Sequence, residues 1–273
     1  MLVIGESKAG KSLLGVSGPA PRLLLDVESA ARFLPLRPIA WDPKSPVPKA
    51  DPSWDTAVVS VKHWDDARRA LDQIQSRPHP FNSATLDSVS ELQYRNIEKV
   101  AGGEQPKLQD WGTIYREVGS FCRQLRDMTE HPNHPLTGVI VTSMAKLGED
   151  KIWRPFLQGQ MQTVIPYLFD IIAFLEKKRV LNGKNWDEVR DLYTEEVMPK
   201  RFIAGGRITG RIDSPLRLPL VTGTTIPEIA KKNTTFRAII RDVFAMHAEA
   251  MVAAKPVPAA EPQPVPAMQG EPK

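Results

Sequence analysis

The chain has 273 residues, 41% hydrophobic and 25% charged, with a formal net charge of +4; that suits one large soluble α/β domain with extensions, or two small ones, built around a real core. No run approaches the ~18 consecutive apolar residues of a membrane span, and a four-residue apolar start is too short for a secretory leader. A single cysteine, Cys122, excludes an internal disulfide and suits a reducing cytosol, where it reads as a small buried helix residue.

The chain opens with Met1-Leu2-Val3-Ile4, which reads as a buried strand, and continues into Gly5-Glu6-Ser7-Lys8-Ala9-Gly10-Lys11-Ser12. Leu13-Leu14-Gly15-Val16 then reads as the first turns of a helix. Strand, glycine loop and helix in this order are the context in which G-x-x-x-x-G-K-S marks a phosphate-binding loop. Its glycines let successive N–H groups point at phosphate oxygens, beside a helix N-terminus that favours anions. Residues 5–13 (Gly5, Glu6, Ser7, Lys8, Ala9, Gly10, Lys11, Ser12 and Leu13) are therefore the expected nucleotide cradle. Lys11 is expected on the β- and γ-phosphates, and the Ser12 hydroxyl on Mg²⁺.

Arg22-Leu23-Leu24-Leu25-Asp26 is a second apolar run, followed by Val27 and Glu28. Consecutive apolar positions fit a strand buried on both faces of a parallel sheet, which places the acids at its carboxyl edge, where ligands of such sheets bind. The proline-rich residues 35–53 read as a surface loop. Thr56–Val61 reads as a strand, and Asp65 or Asp66 as the cap of a helix to about Gln75. Ser83–Ser88 reads as a short strand whose Asp87 either helps hold Mg²⁺ or caps the helix that follows.

Helices are expected from Val89 to Val100 and from Asp110 to Thr129. His131 and His134 fall in a proline turn without further ligands at metal spacing. Gly138–Ser143 reads as a buried strand; Thr142 and Ser143 at its tip either sense the γ-phosphate or satisfy backbone groups. Residues 145–164 read as a mobile loop on the nucleotide side, Tyr167–Leu175 as a strand, and Asn182-Gly183 as a hairpin turn. A short helix is expected from Glu188 to Glu196. Residues 200–217 are Gly- and Arg-rich, Thr225–Ala254 reads as helical, and the last ~20 residues as a disordered Pro/Ala-rich tail.

This order of motifs resembles the RecA-type ATPase core, and within it the phage nucleotide-binding ATPases of the AAA/RecA class, including the Sak-type single-strand annealing ATPases. The resemblance rests on Gly5–Ser12, Leu25–Glu28, Leu86–Ser88, Gln109–Gly112, Val139–Ser143 and Pro155–Gly159 leading to Ile165–Asp170. It implies an α/β, RecA-like P-loop NTPase: a mostly parallel central sheet flanked by helices over residues 1–235, a C-terminal helix over 236–254, and a tail over 255–273. ATP and Mg²⁺ are the implied cofactors. The resemblance makes Glu28 the base that polarises water, although a plain strand-end surface acid is the other reading. It makes Asp87 the Mg²⁺-linked acid. Arg207 and Arg211 fall in the segment that supplies a finger to a neighbouring subunit, and Arg211 is taken as that catalytic residue. The recombinases' γ-phosphate glutamine is missing, its place being taken by Thr142 and Ser143, which argues against RecA-style filament switching. Met1 already lies inside the first strand, so the fold is trimmed or the true start lies upstream.

The implied function is Mg²⁺-dependent ATP hydrolysis acting on single-stranded DNA in phage recombination or replication, by a homo-oligomeric ring or filament in the host cytoplasm. DNA would follow residues 145–164 and 200–217. Two alternatives share the core: a packaging or helicase-loading DNA motor, and a nucleotide-dependent switch or scaffold with vestigial hydrolysis.

Overall fold

The computed structural model describes residues 1–196, 201–207, 216–218, 236 and 238–241. The early strand runs, with Pro38–Ala40 added at one edge, become neighbouring parallel strands: β1 (Leu2–Gly5), β2 (Arg22–Asp26), β3 (Pro38–Ala40), β4 (Thr56–Ser60), β5 (Ser83–Asp87) and β6 (Gly138–Leu147). Between them lie α1 (Lys11–Gly15), α2 (Trp64–Ser76), α3 (Val89–Ala101) and α4 (Leu108–Asp127). Then come β7 (Ile152–Pro155), α5 (Met161–Val164), β8 (Ile172–Asn182), β9 (Asn185–Tyr193), β10 (Arg201–Phe202) and β11 (Leu216–Leu218).

The central sheet runs β8-β1-β6-β5-β2-β4-β3 with every pair parallel. β9 and β11 extend it antiparallel beyond β8. One strand, β6, separates the strand that feeds the glycine loop from the acid-tipped β5. With helices on its faces this is the expected RecA-like P-loop arrangement. β7 folds back on β6 and pairs with β10, making a small side sheet.

Alternation explains why the strand runs are apolar throughout. Leu2, Ile4, Leu23 and Leu25 face one layer with Trp64, Leu71, Leu92, Val118 and Phe121 of α2–α4. Val3 faces the other layer with Leu14 of α1 and with Phe236, Ile239 and Ile240, which are helical. Cys122 is fully buried, and burial pushes its thiol up to about 12, which leaves it protonated and unreactive.

Several segments differ from expectation. Residues 188–196 form no helix: Glu188 to Tyr193 belong to β9, zipped against β8 from Phe174↔Tyr193 to Asn182↔Asn185. The Asn182-Gly183 turn that joins the two strands fixes this pairing, and cross-strand contact overrides local helix propensity. Tyr167–Leu175 is not one strand; Ile165–Leu168 is a 3-10 turn and β8 begins at Ile172. Residues 145–164 are ordered into the end of β6, β7 and α5, and the 35–53 loop contains edge strand β3. The helical reading of 225–254 falls outside the described residues except at 236 and 238–241, and the tail lies wholly outside them.

Candidate nucleotide site

The site forms at the carboxyl edge of the parallel strands. Register puts Gly5 level with Met144, Ile4 with Ser143, and Asp26 with Asp87, so the tips of β1, β2, β5 and β6 end side by side. A cleft of about 760 Å³ opens there, walled on one side by the glycine loop (Ser7, Lys8, Gly10, Lys11, Ser12, Leu13). Glu28, Phe33, Met144, Lys146 and Phe156 line the rest.

Two glycines have separate reasons. A Cβ on Gly5 would lie 2.5 Å from the Leu175 carbonyl oxygen of β8, so only glycine lets that neighbour approach. Gly10 adopts φ 103°, in the left-handed region. Lys8 is also left-handed, at φ 60°. Ala9 is buried against the second layer, anchoring the middle of the loop to the core. Gly5 closes β1, Glu6, Ser7 and Lys8 are exposed, and Ser12 and Leu13 are half-buried at the start of α1. That helix spans only five residues. A macrodipole grows with aligned peptides, so anion binding here rests on loop N–H groups and Lys11 more than on the helix.

Lys11 is buried, 9% exposed, and its ammonium donates to the carbonyls of Gly5 (3.0 Å) and Glu6 (2.9 Å). Desolvation lowers its pKa, opposed by the charges of Glu28, Asp87 and Glu6. Those opposing charges place both predicted acids within electrostatic reach of the loop lysine.

Glu28 is exposed at the cleft wall, where its carboxylate accepts a hydrogen bond from the Ser88 hydroxyl. Desolvation raises its pKa; the Ser88 bond opposes the rise, and the nearby Asp87 charge adds to it. Ser88, not Asp87, caps α3, accepting from the Glu91 N–H at 3.4 Å. Asp87 is thereby free of the capping role. It is 1% exposed, accepts from the Thr142 hydroxyl through Oδ1, and has no hydrogen-bond partner on Oδ2 among the described residues.

The hydroxyl pair on β6 is fully buried. Thr142 holds Asp87, while Ser143 donates to the Met144 carbonyl at 2.9 Å and lies 3.0 Å from the Ser90 hydroxyl. Neither faces the cleft directly. Asp26 accepts from the N–H groups of Ala30 (2.9 Å) and Ala31 (3.1 Å), which orders the turn after Glu28. Desolvation raises the Asp26 pKa, and these bonds oppose the rise.

Arg211 lies outside the described residues. Arg207 pairs with Asp170 at 3.5 Å, just before β8 begins, so it sits at the amino edge of the sheet, away from its own cleft. Sequence reading missed Ser88, Phe33, Lys146 and Phe156. Only the fold brings these four together, since Ser88, Phe33 and Phe156 lie on three separate connections and Lys146 on β6. No helix among the described residues is long and apolar enough to cross a membrane.

A search of curated protein sequences returns no match. Among solved structures, the chain is similar to a KaiC-like protein from the hyperthermophilic archaeon Pyrococcus horikoshii OT3, at 13% identity over 74% of this chain and 81% of that one, TM-score 0.37. It is also similar to the flagellar accessory protein FlaH from Methanocaldococcus jannaschii, at 11% identity over 75% of this chain and 79% of that one, TM-score 0.31. An ATPase from the type III secretion system of pathogenic bacteria matches at 14% identity over 64% of this chain and 51% of that one, TM-score 0.40. The family model described as AAA domain matches residues 1–207. That match takes in the glycine loop, both acids and every central strand, and the chain belongs to the AAA domain family of P-loop ATPases.

Proposed function

We propose that this AAA-domain protein hydrolyses ATP with Mg²⁺ and couples turnover to single-stranded DNA, in phage recombination or replication, as a ring or filament of identical subunits. The observation that carries the reading is the convergence of Lys11, Glu28 and Asp87 at one sheet edge beside the glycine loop.

The donor set fits a divalent cation. Asp87 Oδ2 is buried and has no partner among the described residues, and Ser12 stands at the cleft, both oxygen donors of the kind hard cations take. Ser12 and Asp87 would hold Mg²⁺, which when bound supplies neutralisation of charge on the phosphate oxygens. Lys11 exchanges its carbonyl partners for β- and γ-phosphate oxygens. Glu28, held by Ser88, orients a water for in-line attack and accepts its proton. Arg211, from a neighbouring copy, stabilises charge on the transferred group; loss of such a finger costs roughly 10³–10⁵ in rate.

The DNA reading is supported by the net charge of +4 and by lysines and arginines within 145–164 and 200–217. The experiment is the ATP turnover rate per subunit, with and without single-stranded DNA, across protein concentration. The reading expects turnover to rise with concentration and with DNA, and the DNA effect to vanish at high salt. A rate indifferent to DNA at low salt removes the DNA assignment, and a rate per subunit flat in concentration removes the finger in trans.

A further inference from the structure

The cleft holds a third lysine besides Lys8 and Lys11, one that neither the glycine motif nor the acids explain. β6 outruns β1: Gly5 pairs with Met144, and Lys146 lies two residues farther on. In a strand, residues two apart share a face, and Met144 and Lys146 both line the nucleotide cleft, opposite Lys8, Lys11 and Ser12.

We propose that Lys146 recognises the terminal phosphate of a bound nucleoside triphosphate from within the same subunit, so that the cleft distinguishes triphosphate from diphosphate. The proposal rests on the nucleotide-binding reading above.

Three observations support it. Lys146 makes no ion pair among the described residues, whereas Arg154, its cross-strand partner, is bound to Asp150 at 2.7 Å. The Lys146 ammonium instead rests 5.7 Å from the centre of the Phe156 ring. Phe156 is itself fixed: its N–H donates to the Met144 carbonyl at 2.7 Å, and its ring packs on Tyr94. An aromatic face holds an exposed cation only weakly, while a phosphate oxygen offers a charge-assisted hydrogen bond. A flexible lysine parked on a ring is therefore poised to exchange one partner for the other. Lys11, at the base of the loop beside the carbonyls of Gly5 and Glu6, is shared between the β- and γ-phosphates in the reading above and so serves a diphosphate as well; Lys146 on the facing wall is a separate cation for the terminal phosphate. Glu28 is the carboxylate lining the same cleft, and the Ser88 hydroxyl already holds it.

The test is calorimetric binding of the imido analogue of ATP and of ADP, each with Mg²⁺ at fixed moderate salt, to the full chain. It compares wild type with Lys146→Ala, Lys146→Arg and Phe156→Leu. Lys146→Ala is expected to lose roughly tenfold to a hundredfold in affinity for the triphosphate analogue, as for a hydrogen bond to a charged group, and to hold ADP within about twofold. Lys146→Arg should recover part of the loss, and Phe156→Leu should narrow the preference for triphosphate without abolishing binding. Because Lys146 is exposed, its variants should melt at the wild-type temperature. An equal loss for both nucleotides, or no loss for either, overturns the proposal while leaving nucleotide binding intact. Wild-type protein that binds neither nucleotide overturns the underlying reading as well.

Discussion

In the proposed function Lys11, Glu28 and Asp87 have different roles, and substitutions should separate them. Lys11→Ala removes the buried ammonium and should abolish measurable nucleotide binding, read by calorimetry. Glu28→Gln keeps the shape and a partner for Ser88 but cannot accept a proton. Binding should persist while turnover falls roughly 10²–10⁴-fold, the usual scale of general-base catalysis. The raised Glu28 pKa gives this a pH signature. The carboxylate must be ionised to act, so turnover should fail on acidification at a higher pH than an ordinary glutamate would give. A pH–rate profile at saturating ATP reads that limb directly, and Glu28→Gln should lack it. Thr142→Val leaves Asp87 buried with both oxygens short of partners. The expected cost is about 1–3 kcal/mol of stability, measured by denaturant unfolding, together with weaker dependence on Mg²⁺.

At the level of elements, the loop and its strand tolerate little. Gly5→Ala would drive a Cβ into the Leu175 carbonyl and push β8 away from β1. A loss of about 1–3 kcal/mol is expected, as for overpacking elsewhere in cores. A second device concerns His79, which neighbours His134 and His131 between the end of α2 and the turn before β6, with ring centroids 5.7 and 6.2 Å apart along the stack. Burial, then the His134 and His131 charges, lower the His79 pKa from 6.5 to about 4. The unfolded chain therefore binds the proton more readily. The stability it contributes is complete above about pH 6.5, declines as pH falls towards about 4, and changes no further below that. Urea melts across that range should show the slope, and His79→Gln should flatten it.

The same elements show what the sequence could carry. β1 and β2 were legible because both faces are buried, leaving uninterrupted apolar runs; β5, with Ser83 and Thr85 buried beside Ala84 and Leu86, was a weaker run. The loop was legible because Gly5, Gly10, Lys11 and Ser12 stand at fixed spacing. β9 was not legible: its Glu188, Arg190 and Asp191 look helical in isolation, and only pairing with β8 makes them a strand. The third histidine of the stack, some fifty residues from the other two, carried no local signal. Ser88 reads as the end of a strand until the fold makes it the cap of α3 and sets Glu28 beside it.

For the whole molecule, the mostly parallel sheet brings residues from β1, β2, β5 and β6 to one edge, while Arg207 sits at the opposite edge. On the proposed reading, with the acids and loop lysine in one chain and the finger in another, the cleft needs neighbours to run at full rate. Turnover per subunit should therefore rise with protein concentration, and Arg211→Ala should lower that plateau while leaving nucleotide affinity within a few-fold. Mixing Arg211→Ala with Glu28→Gln subunits should recover activity, because the intact Glu28 of one can meet the intact Arg211 of the other. The central claim, that the glycine loop holds a triphosphate whose end meets Glu28, is tested most directly by measuring ATP affinity and phosphate release on the same preparations of wild type and Glu28→Gln. The account predicts equal affinity, with phosphate release by the variant reduced at least a hundredfold. Phosphate release at the wild-type rate by Glu28→Gln would contradict it.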